Sequence, residues 1–167
     1  MNHETSSGMQ KKVKEKMERR LAVLPLQHID TSVILEDPKS ADGKFCIKYL
    51  QKISYNYRGI FSAPVLSELF LSILLLESNA KRYASMDVVT DLISTRKIGF
   101  YTPKNIFDIS KKIRNLDSRI TPIDIEIIAC AVEHKAVNLV TLDSVLIENT
   151  SIEKEFNIRI RHPKDLL

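Results

Sequence analysis

The chain has 167 residues, 44% of them hydrophobic, with 25 Lys and Arg residues against 21 Asp and Glu residues. This length and composition predict one folded domain with a sizeable core, and they exclude an extended disordered chain. No apolar run reaches the roughly 18 residues that a membrane-spanning helix needs, and the polar amino terminus has no secretory signal pattern. We therefore expect a cytoplasmic protein without a membrane partner.

The net charge of +4 is concentrated near the amino terminus. Residues 1–22 hold six of the 25 basic residues and three of the 21 acidic residues, so residues 23–167 are nearly neutral. We predict that residues 1–22 form a basic extension, partly disordered and partly helical, and that residues 23–167 form a single domain. Bulk charge by itself therefore does not argue for a nucleic-acid partner.

Cysteine and histidine usage argues against a disulfide framework and against a structural zinc site. Cys46 and Cys130 both lie in helical patterns and are expected to be reduced core residues. The four histidines and two cysteines are scattered without the spacing of zinc ligands. We expect His28 to be a satisfied histidine of the core or its rim.

Short apolar runs alternate with helical patterns from residue 24 onward. Strands are predicted over residues 24–30, 59–63, 98–101, 137–142 and 157–160. Helices are predicted over residues 45–53, 65–76, 80–95, 103–116 and 121–135. This alternation indicates βαβ units, and therefore an α/β fold whose mostly parallel sheet is covered by helices on both faces.

Helical spacing also predicts which side chains face the core. In the helix over residues 80–95 they are Tyr83, Met86, Val89 and Ile93, and in the helix that begins at Pro103 they are Ile106, Ile109, Ile113 and Leu116. The helix over residues 65–76 has hardly any polar face. Because one sheet face does not require that much apolar surface, a dimer interface or partner groove on this helix is a hypothesis.

Four acidic residues stand at the edges of apolar runs or inside them. Asp30 and Asp143 each close a predicted strand, and Asp124 lies in the first turn of a predicted helix. Glu68 is the only charged residue between positions 64 and 76. In an open parallel sheet, helices begin where strands end, so we expect all four acids at the carboxyl edge of the sheet.

Each acid also has a purely structural reading. Asp30 is a candidate helix N-cap, and Asp143 is a candidate turn residue. Asp124 fits a capping box with Thr121. For Glu68 the one structural alternative is that its side chain reaches solvent beside two serines. Taken together, four carboxylates without an obvious Lys or Arg partner suggest a site for Mg²⁺ or Mn²⁺, because these cations prefer carboxylate and water oxygens.

Five segments resemble motifs of the PIN-domain ribonucleases. They are residues 28–35, 62–69, 121–131, 139–143 and 162–167. Each segment except the last carries one of the four acids, and the resemblance covers about residues 24–167. It implies a three-layer α/β/α sandwich with a central, mostly parallel sheet. It also implies a Mg²⁺- or Mn²⁺-dependent endoribonuclease that leaves a 5′-phosphate and a 3′-hydroxyl.

The resemblance further implies roles for individual residues. The acids that match the family's catalytic and metal-binding positions are Asp30, Glu68, Asp124 and Asp143. The residues that match its hydroxyl positions, which orient a carboxylate or a water on the metal, are Ser32 and Thr141.

The biological role implied by the resemblance stays open between two alternatives. Many PIN proteins are VapC-type toxins, which form homodimers and pair with an antitoxin protein, whereas others mature ribosomal RNA and often carry a zinc ribbon. Residues 141–145 lack the second acid and the Phe that commonly follow in VapC-type chains, and no zinc-ribbon pattern is present. The implied partners are therefore an RNA substrate, an antitoxin and a second copy of the chain.

Two other functions conflict with the same residues, and a third stays open. A haloacid-dehalogenase-type phosphatase requires a second Asp at position 32, where this chain has Ser32. A dinucleotide-binding fold requires a Gly-rich turn after the first strand, and residues 30–33 contain no glycine. A PIN-like scaffold that binds RNA or protein without cutting it stays open as an alternative.

Basic residues near the end of the chain have two readings. Arg159, Arg161 and Lys164 either line an RNA path or belong to a solvated edge strand. The basic residues of the predicted helix over 103–116, including Lys111 and Arg114, are expected to form a solvated helix face.

Overall fold

The computed structural model describes residues 15–16, 18–95 and 98–167. Residues 15–16 and 18–22 are helical, whereas the rest of the predicted basic extension lies outside the described residues. No helix within the described ranges is long and apolar enough to cross a membrane. The expected cytoplasmic location stays a prediction.

A five-stranded, fully parallel sheet forms the centre of the fold. The strands are β1 (Leu26–Ile29), β2 (Arg58–Ser62), β3 (Ile98–Tyr101), β4 (Asn138–Val140) and β5 (Arg159–Arg161). Their order across the sheet is β3-β2-β1-β4-β5. Every residue of β1 and β4 is buried, so helices cover both faces at the centre of the sheet. The predicted α/β/α sandwich with a parallel sheet is confirmed.

Helices connect successive strands. They are α1 (Thr31–Leu35), α2 (Ala41–Lys52), α3 (Ala63–Leu74), α4 (Asn79–Ser94), α5 (Phe107–Leu116), α6 (Pro122–Glu133), α7 (Ser144–Ile147) and α8 (Thr150–Phe156). A short 3₁₀ helix, Pro163–Leu166, follows β5. Local sequence fixes several of these starts: the Ser40 side chain caps α2, and the Thr121 side chain caps α6 with Pro122 at its first position.

The most deeply buried helix is α6, which supplies the centre of the core on one face of the sheet. Its run from Ile127 to Ala131 is buried without interruption, as is Ile125. Because α6 leads into β4, the start of α6 lies at the carboxyl edge of the sheet. The first turn of α6 carries Asp124.

Two predicted helix faces are partly wrong. Tyr83 is 71% exposed, and Met86 and Ile93 are also exposed, whereas Val89 is buried as predicted. The core contact of α4 is narrow, because only Val89 and Leu92 on this helix are buried. At the end of α5, Leu116 is exposed although Ile113 is buried, because the helix stops there.

Element boundaries differ from the prediction by a few residues. The first strand is Leu26–Ile29 rather than 24–30, and β4 ends at Val140 rather than at residue 142. Pro103 precedes α5 by four residues instead of starting it. The final strand is Arg159–Arg161 rather than 157–160. Strand ends extend into loops of similar composition, so apolar runs overestimate strand length.

Candidate active site

The four predicted acids converge on one cavity at the carboxyl edge of the sheet. Asp30 follows β1 and is the N-cap of α1, and Glu68 lies in the second turn of α3. Asp124 lies in the first turn of α6, and Asp143 is the N-cap of α7, three residues after β4. All four line a cavity of about 480 Å³. The predicted convergence is therefore present in the structure.

The cavity brings carboxylates together without a positive partner. The other residues that line it are Thr31, Ser32, Leu35, Ser72, Thr121 and Ile123. Within the described part of the chain, none of the four carboxylates forms an ion pair with Lys, Arg or His. The negative charge is therefore left to solvent or to a bound cation.

Two hydroxyls hold the carboxylate of Asp30. Ser32 Oγ donates to Asp30 Oδ2 at 2.6 Å, and Thr141 Oγ1 donates to the same oxygen at 2.7 Å. Both hydroxyl oxygens also accept backbone N–H groups, from Leu142 at 3.0 Å and from Asp143 at 3.0 Å respectively. This network ties the end of β1 to the end of β4 and fixes the orientation of Asp30, which is 6% exposed.

The other three acids also accept from neutral donors. Thr31 Oγ1 donates to Glu68 Oε2 at 2.7 Å, and Thr121 Oγ1 donates to Asp124 Oδ2. Asp143 Oδ1 caps α7 by accepting the backbone N–H groups of residues 145 and 146. Asp124 and Asp143 therefore do act as helix-terminus residues, while also lining the cavity.

One oxygen of each acid is bonded within the protein, and the other is not. Among residues 15–16, 18–95 and 98–167, no hydrogen bond reaches Asp30 Oδ1, Glu68 Oε1, Asp124 Oδ1 or Asp143 Oδ2. The neutral donors fix the four side chains and leave four acceptor oxygens for a ligand.

Burial and mutual repulsion raise the pKa of two of the acids. The pKa of Glu68 is raised by desolvation and by the charges of Asp30 and Asp124, although the Thr31 hydrogen bond opposes this. The pKa of Asp124 is raised by desolvation and by the charges of Asp30 and Asp143, against the Thr121 hydrogen bond. The four carboxylates therefore interact electrostatically as one cluster.

The carboxylates do not form a closed ligand cage. As they stand, no three His, Cys, Asp or Glu side chains in the described ranges are close enough to hold a metal ion jointly. The site is an open cavity with acids around its wall.

A family model described as the PIN domain matches residues 28–151. The chain belongs to the PIN-domain family. Members of this family are generally nucleases, and the matched residues include all four acids. Comparison with curated proteins finds no match.

Solved structures similar to this PIN domain support the same fold. FitAcB from Neisseria gonorrhoeae shares 21% identity with a TM-score of 0.57, covering 82% of this chain and 97% of the other. VapBC2 from Rickettsia felis, bound to a promoter DNA fragment, shares 15% identity with a TM-score of 0.60, covering 82% and 98%. VapBC-1 from nontypeable Haemophilus influenzae shares 15% identity with a TM-score of 0.57, covering 83% and 98%.

Sequence reasoning on this PIN domain missed the role of two threonines. Ser32 and Thr141 were predicted, and both bond Asp30. Thr31 was not predicted, although it bonds Glu68 across 37 positions of sequence. Thr121 was expected only as a helix cap, and it also bonds the Asp124 side chain. The only local signal was a hydroxyl residue directly after Asp30 in the strand-to-helix turn.

The expectation for His28 is half right. The side chain is fully buried, but neither ring nitrogen has a hydrogen-bond partner among the described residues. Desolvation, together with the charge of His134, lowers the pKa of His28 to about 3, so the imidazole is neutral. His28 does not line the carboxylate cavity.

Proposed function

We propose that this PIN domain is a metal-dependent endoribonuclease that hydrolyses RNA phosphodiester bonds at the carboxylate cavity. The observation that carries the proposal is the cavity itself, with four acids that have, among the described residues, no cation partner and one unbonded oxygen each. The proposed catalytic and metal-binding acids are Asp30, Glu68, Asp124 and Asp143. Ser32 and Thr141 are the proposed positioning hydroxyls.

Mg²⁺ or Mn²⁺ fits the donor set of this cavity. Hard divalent cations prefer carboxylate oxygens, and Mg²⁺ usually keeps several of its waters while one or two carboxylates bind it. An open cavity in which no three acids of the described residues close on one point is therefore compatible with such an ion. A bound cation would activate a water and offset the negative charge of the phosphodiester.

The chain's own residues contribute orientation and charge. Ser32 and Thr141 hold Asp30 Oδ2, so its other oxygen faces a fixed direction. Thr31 does the same for Glu68. Burial and the neighbouring carboxylates raise the pKa values of Glu68 and Asp124, because both disfavour the charged form. A bound cation would favour the charged form and would lower these pKa values.

Cleavage of RNA with and without metal tests the proposal directly. The protein and its Asp30→Asn variant are incubated with mixed RNA in Mn²⁺, in Mg²⁺ and in a chelator. We expect cleavage only with metal and only by the parent protein. Thermal unfolding adds an independent measurement, because Mn²⁺ that binds the folded state raises the parent's midpoint more than the variant's.

Two outcomes would contradict the nuclease proposal. Equal cleavage by the parent and by Asp30→Asn would identify a contaminating nuclease. Tight RNA binding without cleavage, under every metal condition, would favour the scaffold alternative.

We further propose an antitoxin protein and a second copy of the chain as partners. The similar solved structures are named as VapBC and FitAB assemblies, two of them bound to DNA fragments. Helix α3 and its C-cap residue also have exposed apolar side chains, at Leu71, Leu74 and Leu75. A molar mass of one chain in light scattering at high concentration would count against the homodimer.

The proposed domain division is residues 1–22 as an extension and residues 23–167 as the nuclease domain. The match to the PIN family lies entirely within the second range. Deleting residues 1–22 and measuring RNA cleavage would show whether the extension belongs to the catalytic unit.

A further inference from the structure

A second cavity, of about 580 Å³, lies between α5 and α6. We call it the basic groove. The residues that line it are Lys104, Asn105, Ile106, Phe107, Ser110, Lys111, Arg114 and Glu126. Three of these are cations and one is an acid, so the groove is positive where the carboxylate cavity is negative.

The cations of the basic groove are exposed, although the charge of Lys104 also acts on Glu133. Lys104, Lys111 and Arg114 are all exposed. None of them forms an ion pair with any acid in the described ranges. Their neighbour Lys112 differs, because its Nζ lies 3.9 Å from Glu155 Oε1 and its side chain does not line the groove.

An aromatic ring and a buried hydroxyl accompany these cations. Phe107, the first residue of α5, is 74% exposed although its ring is large and apolar. Ser110 is only 7% exposed, and its Oγ has no hydrogen-bond partner among the described residues. An exposed aromatic face, an unpartnered buried hydroxyl and several cations together match a ligand with flat rings, polar edges and negative charge.

Helix α6 contributes to both cavities through different faces, because residues two positions apart on a helix do not face each other. Asp124 lines the carboxylate cavity, and Glu126, two residues later on the same helix, lines the basic groove. Lys104 lies near the far end of α6, since its backbone N–H donates to Glu133 Oε2 at 3.1 Å. Arg114 lies in the last turn of α5, and residues 117–121 lead from that turn to the start of α6. The groove therefore follows α5, whose ten residues span about 15 Å, and its Arg114 end lies nearer the start of α6, which carries Asp124.

We propose that the basic groove binds the segment of a single-stranded RNA that flanks the scissile bond, an inference that rests on the proposed nuclease function. Phe107 stacks on a base, Lys111 and Arg114 bind backbone phosphates, and Ser110 Oγ bonds a polar edge of the base. The carboxylate cavity offers no cation to the substrate backbone, so the neighbouring groove supplies this attraction.

Fluorescence anisotropy with a labelled single-stranded RNA tests the groove separately from catalysis. All proteins carry Asp30→Asn so that the RNA stays intact, and each is titrated at several salt concentrations. We expect Phe107→Ala to raise Kd about fivefold or more, as stacking energies per base indicate. We expect Lys111→Gln and Arg114→Gln each to reduce the slope of log Kd against log salt by about 0.7.

Matched control variants come from the same region of the chain. Lys112→Gln removes the same charge from the next position of α5 but outside the groove, so its salt slope should equal the parent's. Phe100→Ala removes another exposed ring, on β3, and should leave Kd unchanged. Far-UV circular dichroism and the thermal midpoint confirm that each variant is folded.

The possible results separate this inference from the nuclease proposal. If the Asp30-intact protein cleaves RNA with metal while Phe107→Ala and Lys111→Gln bind RNA like the parent, the groove inference is wrong and the nuclease proposal stands. If Lys112→Gln weakens binding as much as Lys111→Gln, the attraction is general surface charge and the inference also fails. If RNA binding is unchanged but Phe107→Ala abolishes association with a protein, the groove is a protein-docking surface instead.

Discussion

Two aspartates only seven positions apart show the contrast between a structural acid and a site acid. Asp117, at the end of α5, binds Arg119 through side-chain contacts as short as 2.7 Å, and this partner lowers the pKa of Asp117 to about 2. Asp124, in the first turn of α6, receives only a neutral hydroxyl, and burial raises its pKa. Among the described residues, Asp117 therefore has a cationic partner and Asp124 has none.

The same contrast recurs elsewhere in the molecule. Glu153 contacts Arg161 at 2.6 Å and accepts the N–H of Ile160, so it holds α8 to β5. Glu68 receives a single threonine hydroxyl and lies near two other acids. Because Arg161 has an acid partner, its predicted alternative as part of an RNA path is weakened in favour of a structural role. The proposed cation site rests on this collection of carboxylates, which have no cationic partner among the described residues.

The largest expected effect comes from making the same substitution at both aspartates. Asp124→Asn should lower metal-dependent RNA cleavage by at least about a hundredfold, because it removes a charge that binds the cation. Asp117→Asn should leave the cleavage rate within about twofold of the parent's, because the Asp117 carboxylate pairs with Arg119 and does not line the cavity. Loss of this ion pair should lower the thermal midpoint slightly. Initial cleavage rates and thermal unfolding measure both. Comparable loss of cleavage in the two variants would remove the distinction between structural and site acids.

A smaller effect is expected from the hydroxyls that hold the site acids. Thr141→Val keeps the shape of the side chain but deletes the donor to Asp30, and it should reduce cleavage or Mn²⁺ affinity by about 10- to 100-fold. Thr141→Ser retains a hydroxyl and should recover most of the loss. Calorimetric titration with Mn²⁺ checks the affinity. If valine and serine behave alike, the hydrogen bond does not position Asp30.

The smallest effect is a pH dependence of stability in metal-free buffer. The pKa values of Glu68 and Asp124 are raised in the folded protein, so the folded state binds more protons than the unfolded state between their ordinary and raised values. The contribution of these two acids to the free energy of unfolding should therefore increase as pH falls through that window.

Chemical denaturation at successive pH values measures this dependence against a matched variant. The double variant Glu68→Gln/Asp124→Asn should be more stable than the parent near neutral pH and should lack this part of the slope. Asp117 contributes with the opposite sign, because its pKa is lowered in the folded protein. Its stabilising contribution is complete at pH values above the ordinary pKa of an aspartate, and it is lost as pH falls toward 2. Identical pH profiles for parent and double variant would show that the acids do not repel one another.

Much of the fold could be predicted from the sequence, since its signals are local. The apolar run before Asp30 and the capping pattern at Thr121 and Pro122 each locate an element without knowledge of the rest. Which side chains of a helix face the core was less predictable where the helix lies at the margin of the sheet. Tyr83 follows helical spacing, yet it is exposed because α4 packs through a narrow strip around Val89.

The sequence by itself determined the order of the acids and the parallel alternation that collects them at one sheet edge. Periodicity and turn chemistry operate within a few residues, so they can be read directly along the chain. Only the tertiary structure decided which donors hold each acid and which acids have no cation. The bond from Thr141 to Asp30 spans 111 positions, and the bond from Thr31 to Glu68 spans 37. Such partners, and the pKa shifts that follow from burial beside other carboxylates, depend on how distant segments pack in space.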